Sequence, residues 1–463
     1  MKVSFKLENG DDISLSPIKS GNENSENQIY ILNDQNGIEW FKLELINNRL
    51  NILEPNQLIA DNDSEIQEKL DELFLQIIEQ EQSGTENTET GEIPVSPYDP
   101  DAIKVHTKQF SIKLIYDMIE AQDIDLNPDF QRNFVWDNAM KSRLIESILL
   151  RIPLPMFYFS EDNEGKITVV DGLQRLTTIK EFMDNKFPLK KLEYLDESCG
   201  DCYYTDKNKD GTNNNLKAID AKYFRWFNMT QFTINVIDPA SPSKVKYDIF
   251  RRINTGGKPL NNQEIRNCLA SRNVRKLLTE MTSLTQFKLA SLNSIKSTRM
   301  EDQEVALRFI CFYNYFMENN NLDSYNGNME ITLDDLVENL NKKSYSEMSV
   351  YVHYYKTAMS NASHLFGRYA FRKILPKHMI KGASKQLINK ALFVSTSVIL
   401  SQYPDEKIRL NNSSEILAEK LAIKIESDQL FYNFLSFGTN GKANLQYVFT
   451  TMQSLITDHL IIE

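Results

Sequence analysis

Residues 169–179 read Val-Val-Asp-Gly-Leu-Gln-Arg-Leu-Thr-Thr-Ile, and this stretch decides the fold of the middle of the chain. The apolar residues 167–170 are typical of a buried strand, and the pattern of 173–185 is typical of a helix. A glycine at the junction predicts a sharp turn from strand to helix. Such a turn leaves the first N–H groups of the helix without carbonyl partners, and these groups attract anions. We therefore expect an anion-binding site where the strand ends.

The residues of this turn bring further chemistry. Gly172 forms the turn, Asp171 supplies a carboxylate, and Gln174 and Arg175 supply an amide and a guanidinium. These groups suit a nucleotide phosphate with its Mg²⁺ ion, held by Asp171, or the backbone of a nucleic acid. The structural alternatives are an Asp that caps the helix, an Arg paired with a nearby carboxylate, and a Gln that completes the turn.

Two other segments have a similar polar character. Residues 127–136, Asn-Pro-Asp-Phe-Gln-Arg-Asn-Phe-Val-Trp, offer Arg132 to the same pocket, and their aromatic side chains are better explained as core. Residues 250–267 contain Asn254 in a Thr-Gly-Gly turn and Arg266 in the helix that follows. Glu264 fits a capping box, in which it and an Asn three residues earlier satisfy the start of that helix.

The order of these motifs is specific. Phe-Gln-Arg…Trp, Asp-Gly-x-Gln-Arg and Ile-Asn-Thr-Gly-Gly…Gln-Glu-x-Arg follow one another along about residues 105–310. In this the chain resembles the N-terminal domain family of the GmrSD-type modification-dependent restriction systems, a ParB/sulfiredoxin-like family. Leu173 departs from the pattern, since members often carry Gln there, so a polar role at that position is lost or taken elsewhere.

The resemblance implies an α+β fold with a ParB/sulfiredoxin-like core, and a nucleotide-dependent enzyme of prokaryotic defence against foreign DNA. Asp171 would then place Mg²⁺ or water. Arg175, Arg132 and Arg266 would clamp phosphates, because arginine forks stabilise developing phosphoryl charge. Asn254 would line the same pocket.

Composition predicts how the chain is organised. At 463 residues it is long enough for two or three domains. We expect an acidic β-rich module that ends in a helix at 1–80, a flexible linker at 81–104, an α+β core at 105–270 and an all-α domain at 271–463. Residues 1–100 hold 21 acidic and 6 basic side chains, whereas the remainder holds 43 and 46. The acidic module fits a surface for docking a partner chain, and the rest raises no charge objection to binding DNA.

Several functional classes lack their sequence signals. The first residues show no apolar signal-peptide core, and no run of eighteen apolar residues follows, so we expect a cytoplasmic protein without membrane contact. No Gly-x4-Gly-Lys-Ser/Thr loop is present, so any nucleoside triphosphate must use the Asp171 pocket. The C-terminal third shows no convincing metal-dependent nuclease motif. DNA cleavage would then require this chain's own pocket or a separate nuclease.

Two functional hypotheses follow. The first is an NTPase of a restriction or anti-phage system, whose turnover acts on DNA directly or through a partner nuclease. The second is a switch module that binds a nucleotide or nucleic acid without hydrolysis and recruits a separate effector. Nucleotide turnover distinguishes them, because a switch binds tightly and turns over little.

Overall fold

The computed structural model describes residues 3–20, 28–34, 37–46, 49–54, 58–83, 103–126, 136–162, 164–207, 212–241, 243–253, 260–319 and 322–461. Contacts within the chain define two compact units, Met1–Pro94 with Ala270–Glu463, and Val95–Leu269. The four-part division expected from the sequence stays a prediction. Across the described ranges, no helix combines the length and the apolar character needed to cross a membrane.

The N-terminal part of the first unit is an antiparallel sheet in which each strand pairs with the next along the chain. Its strands are β1 (Val3–Lys6), β2 (Asp12–Ser20), β3 (Gln28–Asn33), β4 (Glu39–Ile46) and β5 (Arg49–Glu54). Helix α1 (Asp63–Ser83) buries Ile66, Leu70 and Leu73 against one face of the sheet. Alternating apolar residues at 3–7, 28–32, 40–46 and 49–53 predict four of these strands, and β2 has no such prediction.

The second unit is a mixed α+β domain, with the sheet order β6-β10-β8-β9-β7. Strands β8 and β9 form an antiparallel hairpin, β10 pairs parallel to β8 and antiparallel to β6, and β7 pairs parallel to β9. Its elements are β6 (Val105–Ser111), α2 (Ile112–Glu120), β7 (Ile124–Asp125), α3 (Asn138–Leu149), β8 (Phe157–Glu161), β9 (Ile167–Asp171), α4 (Leu173–Met183), α5 (Asp196–Cys199), α6 (Ala221–Met229), β10 (Gln231–Ile237), α7 (Ser243–Ile253) and α8 (Asn262–Leu269).

Helices cover both faces of this sheet. Because side chains alternate along a strand, Val169 packs into the core formed with α2, α3, α4 and α6, whereas Val170 packs against α7 and α8. The segment between α4 and α6 is tied to α3 through the buried carboxylate of Glu146. That carboxylate accepts hydrogen bonds from the N–H groups of Glu193, Tyr194 and Leu195 at 2.7–3.0 Å.

The C-terminal part of the first unit is helical. Its helices are α9 (Arg272–Ser283), α10 (Thr285–Ser291), α11 (Glu301–Asn319), α12 (Met329–Asn341), α13 (Tyr345–Met348), α14 (Val350–Phe366), α15 (Lys390–Leu400), α16 (Asp405–Asn411), α17 (Ile416–Ser427), α18 (Gln429–Ser436) and α19 (Lys442–His459), with 3-10 turns at Thr298–Met300, Gly367–Tyr369 and Pro376–Met379. Every residue of α15 is buried, and α11, α14 and α19 pack around it. The α+β class, with a β-rich N-terminal region and a helical C-terminal part, is confirmed.

Candidate functional site

The predicted turn from strand to helix is present. Strand β9 ends at Asp171, Gly172 adopts a left-handed conformation with φ 99°, and α4 begins at Leu173. Glycine is required at position 172 for two reasons. Its positive φ strains other residues, and a Cβ at this position would overlap the ring of Phe157. The local sequence therefore fixes both the turn and its close approach to β8.

The N-terminus of α4 has no side-chain cap. Gly172 has no side chain to offer, and its carbonyl accepts the first helical hydrogen bond from the N–H of Leu176 at 2.9 Å. The N–H groups of Leu173, Gln174 and Arg175 therefore have no carbonyl acceptor within the helix. Gln174 is half-buried, and its side chain makes no hydrogen bond to another described residue. Such backbone donors at a helix N-terminus attract anions, so the anion site that the sequence suggests at this turn stays a prediction.

Arg175 forms the ion pair that the sequence offers as an alternative. Its Nη2 lies 2.9 Å from Oδ2 of Asp171, and 11% of the Arg175 side chain is exposed against 36% of the Asp171 side chain. The guanidinium also donates to the carbonyl oxygens of Pro155 and, at 3.2 Å, Met156, and its Cζ lies 4.1 Å from the ring centre of Phe157. Burial lowers the pKa of Arg175, and the charge of Asp171 opposes that change. This guanidinium braces the turn against the start of β8.

Asp171 keeps one side of its carboxylate open. Oδ2 accepts the hydrogen bond from Arg175, whereas Oδ1 accepts none from the described residues. Mg²⁺ in nucleotide sites needs one or two protein carboxylates, because phosphate oxygens and waters complete its shell. The described ranges bring no three His, Cys, Asp or Glu side chains together as metal ligands. Asp171 is therefore suited to share a metal ion with phosphates.

Helix α8 packs on the same strand. Its residues Ile265 and Cys268 join Val170 of β9 in one apolar cluster. Arg266 is 1% exposed, so the structure places it in the interior of the second unit. The capping box forms as predicted: Asn261 Oδ1 accepts from the N–H of Glu264, and Glu264 Oε2 accepts from the N–H of Asn261, both at 2.7 Å.

Two amides on α8 are absent from the sequence-based prediction. Gln263 and Asn267 lie one helical turn apart and are 1% exposed. Neither the amide nitrogen nor the amide oxygen of these side chains has a hydrogen-bond partner within the described part of the chain. A buried amide without partners is costly, and native proteins keep such groups where a ligand or water completes them. Gln263 is the Gln of the Gln-Glu-x-Arg motif, but nothing in the sequence indicates that its amide and that of Asn267 are buried.

Other predicted residues cannot be placed. Arg132 and Asn254, with the Phe-Gln-Arg and Thr-Gly-Gly motifs, lie outside the described residues. Trp136 is half-buried and packs against the core that α3 and α4 share, consistent with a core role for this aromatic. The described part of the site therefore consists of Asp171 and the turn with Arg175, and α8 packs on Val170 of the same strand.

This geometry defines an α+β domain with a strand–glycine–helix turn, a class that places anions at a helix N-terminus. Residues 112–271 match the family described as GmrSD restriction endonuclease, N-terminal domain, so this part of the chain is similar to that family. The family places the chain in the context of restriction and defence systems. The match covers about a third of the chain and leaves out the N-terminal sheet and nearly all of the C-terminal helices. Neither a curated protein nor a solved structure matches the chain.

Proposed function

We propose that the domain around Asp171 binds and hydrolyses a nucleoside triphosphate, with Mg²⁺, as part of a DNA restriction or anti-phage system. One observation carries the proposal: a partly exposed carboxylate stands directly beside an uncapped helix N-terminus. The helix N–H groups attract phosphate oxygens, while the carboxylate attracts a cation or a water. A nucleotide polyphosphate with its metal ion satisfies both groups at once.

In this proposal each residue has a defined role. The N–H groups at Gly172 and Gln174 bind phosphate oxygens, and Asp171 orients the attacking water. The water oxygen bonds to the γ-phosphorus, the bond from phosphorus to the β–γ bridging oxygen breaks, and the water proton passes through Asp171 to solvent. Bound Mg²⁺ would neutralise charge on the phosphates. The clamping roles of Arg132, Asn254 and Arg266 belong to the same proposal.

Arg175 acts in this scheme through its ion pair. A metal ion or water that engages Asp171 competes for the carboxylate, and Nη2 of Arg175 then turns to a phosphate oxygen. Because the same guanidinium donates to the carbonyl oxygens of Pro155 and Met156, nucleotide binding would change these hydrogen bonds at the start of β8. The buried amides of Gln263 and Asn267 supply donors and acceptors of the kind that bind a base edge.

A specific observation also favours the switch hypothesis. Asp171 and Arg175 form an ion pair with one another, so the two groups best suited to catalysis also stabilise the turn without a ligand. A nucleotide that breaks this ion pair without being hydrolysed would convert binding into a conformational change. In both cases DNA is the target, reached directly or through a separate nuclease, and the acidic N-terminal module provides a docking surface for that partner.

The test is phosphate release by the purified full chain from ATP, GTP, CTP and UTP with Mg²⁺, with and without DNA. Asp171→Asn is the decisive variant, because an Asn oxygen still accepts from Arg175 while the negative charge is lost. Lys166→Ala is the matched control, since Lys166 is exposed just before β9 and pairs with Glu164. We expect turnover that Asp171→Asn abolishes and Lys166→Ala preserves.

Two other results would decide against hydrolysis. Turnover that survives Asp171→Asn would place the chemistry elsewhere. Tight nucleotide binding without phosphate release, measured by equilibrium dialysis, would select the switch and reject the NTPase.

A further inference from the structure

A second candidate site lies in the helical part of the first unit. A cavity of about 170 Å³ opens between the end of α10 and the segment that joins α14 to α15. Its polar lining includes Arg368, Arg372, His378, Ser384 and Lys385, with Tyr369 and Gln386 beside them. Most of these side chains are cations or hydrogen-bond donors, and none is a carboxylate. The residues that line the cavity belong to the first unit, whereas the turn at β9 belongs to the second.

Arg372 is a buried cation whose hydrogen bonds all go to neutral acceptors. It is 2% exposed and donates to the carbonyl oxygens of Arg368, Gln386 and Ser291 and to the hydroxyl of Ser294. These bonds use four of its five N–H groups, and no carboxylate of the described residues pairs with it. Burial lowers the pKa of Arg372 to about 10. A buried charge without a counter-ion is unfavourable, so an anion in the cavity would stabilise this arrangement.

His378 lines the same cavity and carries a donor that has no partner among the described residues. It is 8% exposed, and the N–H of Leu375 donates to its Nδ1 at 3.1 Å. Burial and the charges of Lys377 and Lys373 lower its pKa to about 4, so the ring is neutral near pH 7. Because Nδ1 accepts a hydrogen bond, the proton of the neutral ring is on Nε2. Nε2 has no partner among the described residues, so the cavity wall carries a fixed donor without an acceptor.

The surrounding sequence is strongly basic. Residues 348–404 contain eight Lys and Arg and no Asp or Glu, in a chain with a net charge of −12. Arg368 and Lys385 are exposed at the cavity. Glu415, just before α17, lies against Gly367, and Lys390 is paired with Glu301 and Glu304, so these acids offset part of the positive charge. The local charge therefore attracts an anion to a chain that is acidic as a whole.

We propose that this cavity binds the phosphate group of a phosphate ester. Arg372 and the Nε2–H of His378 hold phosphate oxygens inside, and Arg368 and Lys385 complete the charge at the opening. A volume of about 170 Å³ accommodates a phosphate with part of its sugar. It is smaller than the roughly 300 Å³ at which pockets enclose a whole drug-sized ligand. The apolar side chains of Leu292 and Ile374 line the remaining wall.

The test is titration calorimetry of the full chain with inorganic phosphate, a nucleoside 5′-monophosphate, and one DNA oligonucleotide with and without a 5′-phosphate. Lys385→Ala and Lys381→Ala form a matched pair, because both lysines are exposed and only Lys385 lines the cavity. His378→Asn removes the Nε2 donor while an Asn oxygen still accepts from Leu375. We expect His378→Asn and Lys385→Ala each to weaken binding about tenfold, a loss of one charge-assisted hydrogen bond, and Lys381→Ala to leave it unchanged.

The arms separate the possible sources of the phosphate. Equal affinity for the monophosphate and the phosphorylated oligonucleotide identifies a free nucleotide, whereas preference for the phosphorylated oligonucleotide identifies a nucleic-acid end. Both results support the site, provided that Asp171→Asn leaves the affinity unchanged. Absence of binding at millimolar concentration in every arm would overturn the proposal. So would affinities that do not differ between Lys385→Ala and Lys381→Ala.

Discussion

Nη2 of Arg175 lies 2.9 Å from Oδ2 of Asp171, one helical turn away across the junction of β9 and α4. The pair joins the two residues that the motif marks for chemistry, and Arg175 extends it to the carbonyl oxygen of Met156 and the ring of Phe157. A single guanidinium therefore supports the fold at the point where the proposed ligand binds. Stability and ligand binding must be measured together on every variant of this turn.

Gly172→Ala is expected to destabilise the second unit by about 2–4 kcal/mol, because an alanine there is strained at positive φ and overlaps Phe157. Gly165→Ala is the matched control. Gly165 also has a positive φ, of 81°, but a Cβ there meets open space, so its cost is about 1 kcal/mol. Urea unfolding of both variants measures the difference. Equal losses would show that the contact with Phe157 does not constrain the turn.

Arg175→Gln should destabilise the domain more than Asp171→Asn. Removing the guanidinium removes two solvent-exposed hydrogen bonds, to the carbonyl oxygens of Pro155 and Met156, and the contact with the ring of Phe157, at a cost of about 1–3 kcal/mol in total. Asn at position 171 keeps an acceptor for Arg175, at a cost below about 1 kcal/mol. Denaturant unfolding of the two single variants and the double variant gives the coupling. The opposite order would mean that the ion pair with Asp171 contributes more to stability than the hydrogen bonds of Arg175 to Pro155 and Met156.

Asn267→Leu is expected to raise the stability of the second unit by about 1 kcal/mol, because it replaces a buried amide that has no partners among the described residues with an apolar side chain. Asn228→Leu should do the reverse. The Asn228 amide donates to Phe224 and accepts from Tyr204 at 2.7 Å, and both bonds are lost. Thermal unfolding compares the two variants. Nucleotide affinity that is unchanged in Asn267→Leu would remove α8 from the proposed site.

Local patterns predict much of this fold. The turn at Gly172, the Ser111-capped α2 and the capping box of α8 depend on residues a few positions apart. The sequence pattern does not predict strand β2, because β2 contains Pro17 and proline is rare inside sheets except at edge strands. In the structure the pairing of β1 with β2 reaches no further than Leu15, so Pro17 is paired with β3 only. Because Pro17 has no strand on its β1 side, the N–H group that proline lacks costs no hydrogen bond on that side.

Non-local contacts explain what the sequence could not show. The sheet order β6-β10-β8-β9-β7 joins strands that are distant along the chain. The four-residue spacing of Asp171 and Arg175 indicates their ion pair, but nothing local indicates the carbonyl oxygens that Arg175 also binds. The basic character of 348–404 resides in an absence of acids and not in a dense run of Lys and Arg, so a scan for such runs misses it.

Asp302→Asn is expected to stabilise the first unit at neutral pH. Burial, with Glu301 adding to it, raises the pKa of Asp302 to about 6 from 3.8, and Tyr355 lies near the carboxylate. The folded state then holds a proton that the unfolded state releases, so stability falls as pH rises from about 4 to 6, by up to about 3 kcal/mol. Asn keeps the acceptor for Gln303. Unfolding free energies at pH 4 and pH 7.5 should show this fall in the native chain and a smaller fall in the variant.

His378→Asn is expected to change the pH dependence in the opposite direction. The folded pKa of about 4 lies below the unfolded value of 6.5, so the neutral ring contributes stability that is complete above pH 6.5 and is lost as pH falls towards 4. The difference of 2.5 units corresponds to at most roughly 3 kcal/mol. Unfolding at pH 4.5 and pH 7.5 should show a smaller acid loss in the variant than in the native chain. An identical loss in both would mean that His378 is already protonated in the folded state at pH 4.5. A charged ring in the cavity would then bind a phosphate more tightly as pH falls.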